Sequence, residues 1–207
     1  MSFDAAADVH KVDAATAIDA IALTCEADDF TTLDMARWDV YEMGPTLTLD
    51  SGQILIALPS ATNGYAGLDT NTFDFTGGVA QLEVPQVVSG PNVENYMIVF
   101  SNNQNYYAIG YDGGRMHYYR REAGVDTAST ELYSTTAHRF WRLGHARTTN
   151  EIYFATSSDT MTWNEAFRLP VTVPITAVKF ELAAGSYAGG SASPGQARFD
   201  NFQLCLP

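Results

Sequence analysis

The sequence predicts an all-β protein, an antiparallel two-sheet sandwich preceded by a short N-terminal arm. Short runs rich in β-branched and aromatic residues recur along most of the chain. Gly, Asn, Asp and Ser stand between these runs as turn signals. No helical periodicity lies between the runs, and a turn signal about every 8–15 residues is typical of a β-sandwich.

The predicted strands lie in the runs 46–49, 53–58, 79–84, 96–100, 106–111, 116–121, 139–146, 151–156, 177–183 and 197–204. The clearest turn is Asp112-Gly113-Gly114, which stands between two tyrosine-rich runs. Asp and Gly adopt the positive φ angles of tight hairpin turns, so we expect a β-hairpin here. We expect about 12–14 strands in all.

The chain divides into an N-terminal arm, residues 1–22, and one sandwich domain, residues 23–207. The arm is rich in Ala and Asp, and Ala14, Ile18 and Ile21 stand at helical spacing behind Asp13. A helix this short is marginal alone, so we expect the arm to become ordered against a neighbouring subunit or another protein. No linker and no internal repeat divides the remainder, which indicates a single domain.

The charge of the chain limits its partners. Acidic residues outnumber basic ones by 24 to 11, and the net charge of −13 disfavours nucleic acid. No uninterrupted apolar stretch reaches the length of a transmembrane helix, so membrane insertion is not expected. The first residues lack the basic opening and apolar block of a signal peptide, which favours cytoplasmic synthesis and release by lysis or assembly unless a signal was removed.

Two cysteines, Cys25 and Cys205, stand close to the two ends of the predicted domain. A single pair is not a disulfide framework, and two buried free thiols are the favoured interpretation. A disulfide is the alternative, because the first and last strands of a jelly roll often pair and would bring the sulfur atoms together.

Three stretches of the sequence resemble concanavalin A-like lectin/glucanase domains, laminin-G-like modules included. They are DDF…LD…RW at residues 28–38, FWRL at 140–143 with its following YF and SSD…W hairpin, and FDNFQL at 199–204. The resemblance spans residues 25–206. It implies a jelly-roll sandwich with one concave sheet, whose commonest use is glycan binding. Such modules also occur in bacteriophage tail and capsid-surface proteins.

The resemblance to glucanases does not extend to their catalytic residues. Those enzymes carry several carboxylates on one strand, in an E-x-D-x-E or E-x-D-x-x-E pattern, because hydrolysis needs two carboxyl groups across the scissile bond. Here Glu83, Glu151 and Glu181 each stand alone on a predicted strand. The histidines show no metal-ligand spacing. The sequence therefore predicts a protein that is not an enzyme.

A structural calcium ion is considered on the basis of the resemblance, since similar modules often bind calcium through an aspartate of the closing strand. Glu26, Asp28 and Asp200 are the candidate ligands, because oxygen ligands in a group suit this ion. The alternative is that Asp28 and Asp29 cap a turn before Phe30, while Asp200 bonds nearby backbone.

A glycan site is expected on the tyrosine-rich hairpin and the strands that follow it. Aromatic faces stack on sugar rings, and polar side chains bond to the hydroxyl groups. The candidate residues are Tyr106, Tyr107, His117, Tyr119, Arg142 and Tyr153. Because side chains alternate along a strand, we also expect half of the hairpin tyrosines to face the core.

The sequence predicts a non-catalytic structural or adhesion protein. The leading hypothesis is a phage virion surface component, a capsid-decoration or tail protein. Its arm binds other virion proteins or a further copy of itself, and its lectin-like face binds a cell-surface glycan. The alternative is a secreted carbohydrate-binding module, and a glucanase-like hydrolase ranks third. Since fold does not fix function, the resemblance alone does not decide between them.

Overall fold

The computed structural model describes residues 22–207, which form 15 β-strands and no helix. The strands are β1 (Thr24–Asp28), β2 (Trp38–Met43), β3 (Thr46–Leu49), β4 (Ile54–Ala57), β5 (Gly64–Thr70), β6 (Val79–Gln86), β7 (Val93–Asn102), β8 (Asn105–Asp112), β9 (Arg115–Glu122), β10 (Val125–Leu132), β11 (Phe140–Ala146), β12 (Glu151–Ser157), β13 (Asn164–Pro170), β14 (Lys179–Ser186) and β15 (Gln196–Leu206). The predicted all-β class is confirmed. Within this described part, no helix is long and apolar enough to cross a bilayer.

The strands form two antiparallel sheets. Sheet A has 8 strands in the order β13-β12-β11-β6-β15-β4-β3, with β1 paired to the second half of β15. Sheet B has 7 strands in the order β10-β9-β8-β7-β14-β5-β2. The chain changes sheet repeatedly, as from β4 to β5 to β6 to β7, and its closing strands β14 and β15 lie inside the two sheets. This is the predicted jelly-roll sandwich.

The core lies between the inner faces of the two sheets. On β4, Ile54 and Ile56 are fully buried while Leu55 is only half-buried, as the alternation of a strand requires. Trp38 of sheet B and Trp141 of sheet A are also fully buried. Burying large aromatic side chains supplies much of the hydrophobic stabilisation of a sandwich.

The last strand, β15, carries an irregularity that its sequence pattern conceals. Phe199 and Phe202 are both fully buried, although residues three apart on a regular strand face opposite sides. Its pairing with β6 shifts register at Asp200, and the neighbouring Asn201 has a φ of 47°. The bulge moves the second half of the strand by one residue, so both phenylalanines reach the core.

The first and last strands pair, and Cys25 lies directly opposite Cys205. A disulfide joins the two residues, which are 180 positions apart in sequence. The interpretation of two buried free thiols is therefore wrong, since the register of β1 on β15 brings the two sulfur atoms together. Cys25 is exposed on its strand, whereas Cys205 is buried.

Five strands were not among those predicted: β1, β2, β5, β10 and β13. Most positions of β10 and β2 are exposed, because both are edge strands, so their sequences lack an apolar alternation. The strand β5 contains two glycines, which weaken the strand signal. The arm predicted at residues 1–22, with its helix after Asp13, lies outside the described residues except for Ala22.

Candidate functional site

The outer face of sheet B carries a group of polar and aromatic side chains that line a cleft. On β8, Tyr107 and Ile109 point into the core, so Tyr106, Ala108 and Gly110 point outward. The tight turn at Asp112-Gly113-Gly114 links β8 to β9 as predicted. The register of the hairpin sets outward residues of β8 beside outward residues of β9.

A cleft of about 260 Å³ opens on this outer face over β7 to β10. Its side chains include Glu94, Tyr96, Tyr106, His117, Tyr119 and Arg121. Gly110 forms part of the floor between Tyr96 and His117, which are its partners on the neighbouring strands. A Cβ atom at Gly110 would lie 2.9 Å from Asn95 O and from Tyr96 Cβ, so a larger residue would not fit here.

Two tyrosines and an ion pair form one side of the cleft. The rings of Tyr106 and Tyr119 meet edge to face with centroids 5.7 Å apart. The guanidinium of Arg121 lies 5.4 Å from the centroid of Tyr106 and bonds both oxygens of Asp126, at 2.7 and 2.8 Å. Arg121 therefore forms an ion pair with Asp126, and the rings of Tyr106 and Tyr119 line the cleft beside this pair.

Glu94 lies on β7 beside these tyrosines. Tyr65 on β5 donates a hydrogen bond to its carboxylate at 2.7 Å. Burial raises the pKa of Glu94, while the Tyr65 hydroxyl acts in the opposite direction. Hydrogen bonds or a cation must compensate a carboxylate for the water that it loses on burial. Among the described residues, Tyr65 donates such a hydrogen bond to Glu94.

Glu181 on β14 is the second half-buried carboxyl of this face. The hydroxyl of Tyr41 donates a short hydrogen bond to its Oε1, and the hydroxyl of Tyr96 lies 3.4 Å from the same oxygen. Burial raises the pKa of Glu181 to about 7, against the opposing effect of the Tyr41 hydrogen bond. This carboxyl therefore changes its charge near neutral pH.

Asp69 and Asp39 extend the acidic row from Glu181 toward the edge of the sheet. Asp69 pairs directly with Glu181 on one side and with Asp39 on the other. Burial raises the pKa of Asp69, and its Oδ1 is buried without a hydrogen-bond partner. Lys179 lies 3.8 Å from Asp39 and supplies a nearby positive charge.

The structure separates the residues that the sequence predicted as one glycan site. Tyr106, His117 and Tyr119 line the cleft. Tyr107 belongs to the core, where its hydroxyl accepts hydrogen bonds from the backbone N–H groups of Thr172 and Val173. Its inward position on β8 removes it from any surface site.

Arg142 and Tyr153 do not join the cleft, because they lie on β11 and β12 of sheet A. The guanidinium of Arg142 lies 3.6 Å from the ring centroid of Trp163, and one of its Nη atoms donates to Gln81. The ring of Tyr153 covers Gly144, whose added Cβ would lie 2.4 Å from it. These residues form a second aromatic cluster on the opposite outer face.

Sequence reasoning missed several residues of the cleft, Glu94, Tyr96 and Arg121 among them. Alternation along β7 was the usable signal. Met97 and Val99 point into the core, so the even-numbered residues Glu94 and Tyr96 point outward. Tyr65, Asp69 and Glu181 required the strand order, since β5 and β14 are distant in sequence. No local pattern brings those residues to one face.

The three predicted calcium ligands use their oxygens for other contacts. Asp28 accepts hydrogen bonds from the backbone N–H of Phe30 at 2.9 Å and from Trp38 Nε1 at 2.7 Å. Asp200 accepts from Gln53 and from the backbone of Asn201, and Glu26 lies 3.9 Å from Arg37. Among residues 22–207, no group of three or more His, Cys, Asp or Glu side chains is placed to hold a metal ion. A bound calcium stays a prediction.

The carboxylates of sheet B are spread one to a strand. The outward acids are Asp39, Asp69, Glu94, Asp112, Asp126 and Glu181, which belong to six different strands. Among the described strands of this sheet, none carries two outward carboxylates. The single-strand carboxylate array expected of glucanases is therefore not present on the face that holds the cleft.

Comparison with solved structures places this architecture among known folds. The chain is similar to a β-glucanase of Bacillus licheniformis, with a TM-score of 0.65 and 11% identity over 88% of this chain and 98% of that one. It is similar to the laminarinase catalytic domain of Thermotoga maritima, with a TM-score of 0.68 and 9% identity over 89% and 98%. A functionally unknown protein of Saccharomyces cerevisiae gives a TM-score of 0.60 and 14% identity over 84% and 99%.

Comparison by sequence with protein-family models and with curated proteins gives no match. The structural similarity at these identities establishes the fold. The chain has the concanavalin A-like lectin/glucanase fold, as its sequence motifs predicted.

Proposed function

We propose that this protein is a non-catalytic glycan-binding protein whose binding surface is the cleft on the outer face of sheet B. The observation that carries this proposal is the cleft itself, in which Tyr96, Tyr106 and Tyr119 stand beside the carboxylates of Glu94 and Asp112. Sugar rings present apolar C–H faces that pack on aromatic rings, and their hydroxyl groups donate hydrogen bonds to carboxylates.

The shape of the cleft favours an extended ligand over a small enclosed one. The cleft is open to solvent and runs across the adjacent strands β7 to β10. A neighbouring open surface, lined by Asn92, Asp112, Arg115 and Tyr187, continues it past the hairpin turn. Asp112 borders both surfaces, so an oligosaccharide chain can lie across them.

The glucanases with the same fold support a glycan as the ligand class, by analogy of fold only. The absence of catalysis is supported by the one-to-a-strand placement of the acids on sheet B. Glu94 lies on β7 and Glu181 on β14, so the two acids do not form the pattern of several carboxylates on one strand that glucanases carry.

The disulfide between Cys25 and Cys205 supports a secreted module or a particle surface, since disulfides persist in oxidising surroundings. The hypothesis of a phage virion component depended on the arm, which lies almost wholly outside the described residues. The virion hypothesis stays a prediction, because no contact among residues 22–207 bears on it. We therefore place the secreted carbohydrate-binding module first and the virion surface second.

A glycan array tests the proposal, with the wild-type protein compared with Tyr119→Ala and Tyr153→Ala. We expect the wild type to bind a limited group of glycans. Tyr119→Ala should lose this binding and Tyr153→Ala should keep it, because Tyr119 lines the cleft whereas Tyr153 lies on sheet A. A blank array for the wild type would overturn glycan binding. Release of reducing sugar from a bound glycan would overturn the non-catalytic part of the proposal.

A further inference from the structure

The cleft contains a half-buried carboxylate, Glu94, whose pKa is raised mainly by burial, while the nearby charge of Arg121 lowers it without an ion pair between the two residues. Among residues 22–207, Glu94 accepts one hydrogen bond, from Tyr65, and takes part in no ion pair. The neighbouring Arg121 is held by both oxygens of Asp126. A half-desolvated negative charge without a counter-ion is costly, and a bound cation would offset that cost.

Two pairs of tyrosine rings lie near this carboxylate. The rings of Tyr65 and Tyr96 have centroids 6.3 Å apart, and those of Tyr106 and Tyr119 have centroids 5.7 Å apart. Burial is the main cause that raises the pKa of Tyr96, Tyr106 and Tyr119, and the charge of Glu94 raises each of them further. Glu94 is thus within electrostatic reach of all three rings.

Tyrosine rings beside a half-buried carboxylate suit a compact organic cation. Tyrosine faces attract an ammonium group through the ring quadrupole, and this attraction strengthens when water is excluded. The carboxylate supplies a charge-assisted hydrogen bond to the same group. A neutral hydroxyl would obtain neither of these charge-dependent contributions.

We propose that the cleft recognises the primary ammonium group of an amino sugar, held by Glu94 beside the rings of Tyr96 and Tyr119. This inference rests on the proposed function, which it narrows to glycans with a free amine. The acids Asp112 and Asp126 border the same cleft, so its potential disfavours uronate and sulfate groups.

The test titrates the protein with a matched pair of ligands, a β-1,4-linked glucosamine oligosaccharide and its fully N-acetylated counterpart. Acetylation removes the positive charge and keeps the sugar backbone. We expect the dissociation constant of the free-amine ligand to be at least about tenfold lower than that of the acetylated one, in line with a charge-assisted contact. Equal affinities, or tighter binding of the acetylated ligand, would overturn the inference and leave glycan binding intact.

The variant Glu94→Gln removes the charge and keeps an oxygen that accepts the Tyr65 hydrogen bond. Glu165→Gln is the matched control, because it removes one charge from an exposed ion pair on sheet A. We expect Glu94→Gln to abolish the preference for the free amine and Glu165→Gln to keep it. If neither oligosaccharide binds the wild type, this inference fails, and a blank glycan array would show that the proposed function fails with it.

The comparison of the two ligands on the wild type alone decides the inference if Glu94→Gln does not fold. Folding of each variant is checked by circular dichroism before titration. A folded Glu94→Gln that still prefers the free amine by tenfold would show that another group holds the cation.

Discussion

The hydroxyl of Tyr65 bonds the carboxylate of Glu94 at 2.7 Å across an intervening strand. Gly185 of β14 pairs with both residues and lies between them. A Cβ atom at Gly185 would lie 2.2 Å from the Tyr65 ring, so the glycine provides the space for this contact. The same arrangement recurs one strand nearer the edge, where Tyr41 crosses Gly67 to reach Glu181. Two tyrosines thus donate hydrogen bonds to two half-buried acids of the face, Glu94 and Glu181.

Tyr65→Phe tests the first of these contacts. The change leaves the half-buried carboxylate of Glu94 without its described hydrogen bond, so we expect it to lower the free energy of unfolding by about 1–3 kcal/mol. Tyr187→Phe is the control, because Tyr187 bonds the carboxylate of Asp112 at an exposed position and its loss should cost less than about 0.5 kcal/mol. Urea unfolding measures both, and equal effects would contradict this account of Glu94.

The pH dependence of stability reports on Glu181. Burial raises its pKa to about 7 in the folded protein, above the value of 4.5 for an unperturbed glutamate. The folded state then binds the proton more tightly than the unfolded state, so stability falls as pH rises between these values. Asp69 and Glu94 act in the same direction, since burial raises the pKa of each.

Glu181→Gln isolates this contribution, because it removes the titrating group. His138 and His145 have lowered pKa values, caused mainly by burial, and they raise stability as pH rises toward neutrality. Both proteins contain these histidines, so their contribution drops out when the unfolding free energy of the variant is subtracted from that of the wild type. We expect unfolding free energies measured from pH 4.5 to 7.5 to fall less steeply in the variant. Parallel curves would show that Glu181 titrates normally.

Reduction of the disulfide should destabilise the sandwich. The bond closes a loop of 180 residues, for which chain-entropy arguments give about 5 kcal/mol, with about 2–5 kcal/mol typical of native disulfides. Cys25 is exposed, so a reductant can reach the bond. Urea unfolding of Cys25→Ser with Cys205→Ser measures the effect without reagent. An unchanged midpoint would mean that the pairing of β1 with β15 is sufficient alone.

Asp28 is either a metal ligand, as the sequence suggested, or a hydrogen-bond acceptor, and the two roles can be told apart. Its two oxygens accept hydrogen bonds from the Phe30 backbone and from the buried Trp38 indole. We expect Asp28→Ala to lower stability by roughly 1–3 kcal/mol, because the indole N–H loses its partner. If Asp28 serves only as this acceptor, a chelator leaves the melting temperature of the wild type unchanged. A fall on chelation that calcium reverses would support the calcium site predicted from the sequence.

The sequence was sufficient to predict the sandwich, its closing strand and the hairpin at Asp112-Gly113-Gly114. These features depend on local alternation and turn chemistry, which a sequence shows directly. The bulge at Asn201 was not predictable, because the face of Phe202 depends on pairing with β6. The edge strand β10 was missed because its polar sequence carries no buried face.

The candidate site was predictable only in part. The tyrosine-rich hairpin located Tyr106 and Tyr119, but alternation assigned Tyr107 to the core once the parity of β8 was known. Arg142 and Tyr153 were assigned to the same site because they follow in sequence, whereas the chain crosses to sheet A after β10. Glu181 lies on this face because β14 pairs with β5 and β7. These strands are distant in sequence, so the pairing could not be predicted from local patterns.

The most direct test of the central claim is an NMR titration of the labelled protein with a panel of neutral and amino oligosaccharides at millimolar concentration, which detects weak binding as well. We expect the largest amide shift changes on β7, β8 and β9 around Glu94, Gly110 and Tyr119. Shift changes centred on Arg142 and Tyr153 of sheet A, or none with any oligosaccharide, would contradict it.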